Sequence, residues 1–224
     1  MQLKSVAITL CTLLSGLTPA PTTLADTHGD DERPPTLESA PDHNEARVHS
    51  GLYARAFIGL GTGSATSNVD LEVGLGKQDF SLTGVGVMYG GQIGLFVTED
   101  LPVFVHAASF TQPNPTLKYG DIETTVEGLN TTYAFGLGTG YYFMPYNILV
   151  SGALSLAFME LSENSTNLKG ASDFGYTGHL ELSKEWPLAE RIHIGVALQG
   201  WLGSIPDSGA SLSVKGISLL ATLS

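Results

Sequence analysis

Nine residues are of types and spacings that could do chemistry: Arg55, Gln92, His106, His179, Glu181, Glu185, Arg191, His193 and Gln199. Each lies on the small-or-polar parity of a stretch that alternates with period two, so all are expected to face one shared interior. Guanidinium groups beside carboxylates form ion pairs, and imidazoles among them respond to protons. Two chemistries fit such a set. One is a gated narrow pore or a proton-responsive centre. The other, which the reading favours, is a polar network that salt-bridges and fills a tight interior, because charges held away from water must be paired.

The remaining candidates carry less. His28, His43 and His49 sit among carboxylates in the segment 26–50, but no metal-ligand spacing joins them. Gly59-Leu60-Gly61-Thr62-Gly63 and Gly136-Leu137-Gly138-Thr139-Gly140 resemble phosphate loops only superficially, since neither runs into Lys-Ser/Thr or a helical pattern. Asn130-Thr131-Thr132 and Asn164-Ser165-Thr166 read as chance sequons. The only cysteine is Cys11, which excludes a disulfide framework. The formal net charge of −12 argues against nucleic acid as a partner. No catalytic residue, metal site or cofactor is expected.

The elements that would position the nine are strands. In Gly128–Leu161 one parity carries Leu129, Tyr133, Phe135, Leu137, Tyr141 and Phe143, then Val150, Leu154, Leu156 and Phe158 after a Met-Pro-Tyr-Asn turn. The other parity is Gly, Ala, Ser, Thr and Asn. A soluble sandwich puts its bulk inward, whereas a barrel in lipid puts large apolar groups outward around a modest lumen. The same alternation recurs over about Leu52–Gly61, Phe80–Val97, Pro102–Phe110, Phe174–Trp186, Arg191–Leu202 and Ala210–Ser224. In the last stretch Leu212 and Val214 disagree in parity with Ile217, Leu219, Ala221 and Leu223, which predicts a bulge near Lys215-Gly216. The 27 glycines, many on the inward parity, suit a narrow lumen.

The expected fold is therefore all-β: an eight-stranded antiparallel up-and-down transmembrane β-barrel over 51–224. Loops are expected at 62–79, 111–127, 162–173 and 203–209. They alternate with short turns after the second, fourth and sixth strands, the last at Pro187-Leu188-Ala189-Glu190. Tyr141, Tyr142, Phe143, Tyr146, Trp186 and Phe96 cluster near those turns and predict an aromatic girdle. Residues 1–25 read as a signal peptide, with Lys4, the apolar run 6–17 and the small residues Thr23 and Ala25 at −3 and −1 of a cleavage after Ala25. Residues 26–50 read as a disordered acidic linker, too poor in large apolar groups to fold alone.

On this pattern the chain resembles small outer-membrane barrels of the OmpA/OmpX type over about 52–224. The resemblance implies export to a Gram-negative outer membrane, short periplasmic turns, outer loops at the cell surface, outer-membrane lipid as a partner and a monomeric state. It also implies a plugged cylinder rather than a porin. One departure is the C-terminus, Ala221-Thr222-Leu223-Ser224, where such barrels usually end on an aromatic residue. The expected role is structural or surface interaction, with the acidic loops (Asp70, Glu72, Asp79, Asp121, Glu123, Glu127, Glu163, Asp173) favouring divalent cations or basic partners. Alternatives are a narrow channel, a lipid-modifying enzyme and a soluble lipocalin-like barrel that binds apolar ligands inside.

Overall fold

The computed structural model describes residues 51–70, 77–163, 169–189, 192–207 and 210–224. The expected signal peptide and acidic linker lie outside the described residues. Eleven strands are present among the described residues. They are β1 (Leu52–Asp70), β2 (Lys77–Thr98), β3 (Leu101–Pro113), β4 (Thr116–Tyr119), β5 (Ile122–Thr125), β6 (Gly128–Phe143), β7 (Ile148–Glu163), β8 (Lys169–Ala171), β9 (Gly175–Ala189), β10 (Ile192–Asp207) and β11 (Ala210–Leu223).

Eight of them form the wall, in the order β1-β11-β10-β9-β7-β6-β3-β2, and β2 returns to pair with β1. Every pairing is antiparallel. Closure satisfies the wall's backbone groups from within, the condition for crossing hydrocarbon. β6 and β7 are joined by a single 3-10 turn, Met144–Tyr146, which Asn147 closes at φ 48°. An asparagine tolerates that left-handed conformation better than most side chains.

The bulky parity faces away from the axis, as expected. Leu137 is 68% exposed, Leu154 78%, Leu180 71% and Leu202 68%. This arrangement overturns the lipocalin-like alternative, which needed the same residues inside. Exposed aliphatics on this scale are tolerable only against lipid. Inward glycines admit the large lumen residues. A Cβ on Gly216 would stand 2.6 Å from the Trp201 ring, so glycine there is what lets the indole lie across the lumen.

Three expectations need correction. First, the loops are mostly strand. β1 runs on to Asp70, β3 to Pro113, β7 to Glu163 and β10 to Asp207, while β4 and β5 form a hairpin that extends the wall beside β2. Second, β11 has no bulge. Its register is continuous from Thr66↔Ser213 through Thr62↔Ile217 to Ala56↔Leu223. What changes along β11 is the surroundings. From Ile217 down, Ile217, Leu219 and Leu223 face out, while Leu220 faces in with Ser218 and Thr222; above it Leu212 and Val214 face in, with Ala65, Leu82, Met159 and Ile205, and Ser211, Ser213 and Lys215 face out. The wall passes from lipid into water, and the polarity of its two faces inverts. Third, β9 continues through Pro187 to Ala189, and the register slips between Ile192 and His193 opposite it. A proline at a strand end beside such an irregularity gives up no ladder hydrogen bond.

The aromatic girdle also changes membership. Tyr141, Phe143, Tyr146 and Trp186 are exposed on the outer wall near the short turns. Tyr142 has the opposite parity and is 3% exposed, and Phe96 packs against it inside the barrel. A second set of outward rings stands higher, with Tyr133 on Phe158 and Phe158 on Phe174. Tyr133 and Tyr141 are eight residues apart on β6. At ~3.4 Å per residue and a tilt of ~40°, the two rings of aromatics stand roughly 20 Å apart along the axis, close to the ~25 Å apolar band of such barrels.

Candidate functional site

The lumen is filled in layers. Nearest the short turns, Tyr53 packs edge-on against Phe96 and tilted against Phe104, each at 5.5 Å between ring centres. Tyr142 and Leu149 complete this aromatic plug.

Above it lies a charged belt. Arg55 on β1 pairs through Nη1 with Glu181 Oε1 on β9 and stands 3.4 Å through Nε from Glu185 Oε1. Its Nη2 donates to Ser183 Oγ at 2.7 Å. Glu181 also accepts from Gln199 Nε2 at 3.4 Å. Glu185 Oε2 accepts from the Tyr142 hydroxyl at 3.1 Å and from Ser224 Oγ at 3.2 Å. The belt thus sets two carboxylates against one guanidinium, and neutral hydroxyls support the surplus charge. Gln92 Oε1 accepts from Tyr53 OH at 2.7 Å beside it.

Next come the histidines. His106 on β3 and His179 on β9 lie 4.7 Å apart between ring centres, and Phe57 stacks on His106. His179 Nε2 shares a hydrogen bond with Thr177 Oγ1 at 3.1 Å. Met88, Phe110 and Trp201 cap this layer, with Phe110 and Trp201 5.5 Å apart. A small void between them has room for about one water molecule.

Of the nine residues singled out by spacing, seven meet in these layers: Arg55, Gln92, His106, His179, Glu181, Glu185 and Gln199. His193 is half-buried at the start of β10, where its backbone pairs with Ser224 in both directions at 2.8 and 3.0 Å. Arg191 lies outside the described residues. Sequence reasoning missed Tyr142, Ser183 and Ser224 as partners, because a strand's parity tells which way a side chain points but not what it meets across the lumen.

This arrangement can hold charge and resist ions, but it offers little to a substrate. His179 with Thr177 has the outline of a base beside a hydroxyl nucleophile. Both are buried, however, between the belt and the Phe110–Trp201 cap. No group of three or more His, Cys, Asp or Glu that could hold a metal ion occurs among the described residues.

A second polar constellation sits above the cap. Gln112 Nε2 donates to the carbonyls of Gly63 at 2.9 Å and Gly84 at 3.0 Å. Asn130 Nδ2 donates to Gln112 Oε1 at 2.9 Å.

No family model matches the chain, and no curated protein matches it. Solved structures do match its fold. Neisserial surface protein A is similar with a TM-score of 0.53 and 12% identity, over 77% of this chain and 97% of that one. The outer membrane protein OprG from Pseudomonas aeruginosa gives 0.45 and 15%, over 80% of this chain and 97% of that one. The likeness to Neisserial surface protein A shows the fold of a small outer-membrane barrel, in keeping with the apolar outer wall.

Proposed function

We infer that the chain is a sealed barrel of a Gram-negative outer membrane, monomeric, with a structural or surface-interaction role and no transport of ions. The observation that carries this reading is the filling of the lumen. An aromatic plug, an ion-paired belt, a histidine layer and the Phe110–Trp201 cap follow one another along the axis. The start of β1, the end of β11 and the short β2–β3 and β6–β7 turns lie at one end of the wall, which an exported chain would leave in the periplasm. The extended strands and the β4–β5 hairpin then project outside the cell. That hairpin is exposed and bears Asp121 and Glu123 beside Lys118, so a basic partner or a divalent cation suits it better than a phosphate. The His179–Thr177 pair is buried in the lumen and faces away from lipid, so it supports no reaction on a lipid substrate.

Purified protein in planar bilayers tests the sealing. The expected result is no unitary conductance above the bare membrane, and discrete channel openings would contradict it. Trypsin applied to intact cells tests the orientation, with cleavage expected after Lys118.

A further inference from the structure

Above the Phe110–Trp201 cap the barrel opens into a cup of about 190 Å³. Leu82, Met159 and Leu212 form its inner wall, and Phe80 and Leu161 stand higher. The Ser172 hydroxyl in this wall is already used: it accepts from the Met159 amide at 2.8 Å and donates to the Asp173 carbonyl at 3.0 Å.

Asn130 also lines the cup and is 2% exposed. Its orientation follows from its neighbour. Gln112 Nε2 gives its protons to two backbone carbonyls, so Gln112 Oε1 must be an acceptor. Asn130 must therefore present Nδ2 to it, which leaves Oδ1 as an acceptor with no donor among the described residues. A buried acceptor without a donor is unfavourable, and a bound group that supplied one would remove that penalty.

We propose that the cup binds a small apolar molecule carrying one hydrogen-bond donor, its O–H directed at Asn130 Oδ1. The volume sets the size. A cavity of ~150 Å³ takes a benzene ring, so the cup fits a ring of that size with a hydroxyl and one or two further carbons. This goes beyond the sealed-barrel reading and rests on it only for the cup's access from outside the cell.

The test uses the full chain in lipid nanodiscs with 13C-methyl methionine. Met159 lines the cup, and Met88 lies below it beside the cap and serves as the internal control. p-Cresol is expected to shift the Met159 methyl saturably and to leave Met88 unmoved. p-Xylene, which replaces the hydroxyl with a methyl, should bind about tenfold more weakly. Asn130→Leu should abolish that preference. Leu161→Trp, a change at a partly exposed position of the lining, should abolish binding of both while the protein keeps its folded gel mobility. Absence of a saturable Met159 shift with p-cresol, as when Oδ1 holds only a water, overturns the proposal; so does equal binding of the two compounds by the unaltered chain. Neither readout depends on conductance or on surface exposure, so failure here is separable from failure of the sealed-barrel reading.

Discussion

Arg55 and Glu181 meet across the lumen from β1 and β9, strands that β11 and β10 separate in the wall. Their side chains are 0% and 2% exposed. The contact therefore ties opposite sides of the barrel together rather than decorating one strand. Arg55→Met leaves two buried carboxylates facing each other and is expected to destabilise the barrel by about 3–5 kcal/mol. Urea midpoints, followed by the folded band on unheated gels, measure the loss. Replacing Arg55, Glu181 and Glu185 together by apolar residues should restore much of it, since an uncompensated charge is worse than none.

Gly216 makes room for Trp201. Gly216→Leu is expected to push the indole off the lumen axis and to cost about 1–3 kcal/mol through overpacking. Trp201 is buried and Trp186 is outward and half-exposed. A Trp186→Phe background thus isolates Trp201 fluorescence, which should shift to the red in the leucine variant.

Asp100, in the turn between β2 and β3, titrates below the ordinary carboxylate range because Tyr141 and Thr98 hydrogen-bond its ionised form. The sign follows directly. A depressed folded value means the stabilisation is present above the unfolded value of ~3.9 and is lost as pH falls through the folded one. Tyr141→Phe combined with Thr98→Val should bring the Asp100 carboxyl titration, read by carbon NMR, back up toward the ordinary value.

Much of this architecture was readable from the residues, and the reasons are local. Leu137, Leu154 and Val196 alternate with Gly, Ala and Ser over long enough runs to fix which face meets lipid. The upper wall was not readable in the same way. Thr62, Ser64 and Thr66 alternate with Gly63, Ala65 and Ser67, a pattern with little contrast in hydrophobicity, so strand there looked like loop. Leu212 and Val214 break the outward parity of Ile217 and Leu219 because the medium around β11 changes there while its register does not. Tyr142 looked like a girdle residue by proximity, although its parity already pointed inward. The Gln112–Asn130 contact joins adjacent strands β3 and β6 through a register that only the fold supplies.

The central claim is that one continuous wall leaves lipid at Ile217 and enters water above it. Spin labels placed singly along β11, at Ser211, Ser213, Lys215, Ile217, Leu219 and Leu223, test it most directly in lipid vesicles. The account predicts collision with oxygen dominating at 217, 219 and 223, and collision with a water-soluble nickel chelate dominating at 211, 213 and 215. A lipid signature at 211, 213 and 215, or a water signature at 219, would contradict it.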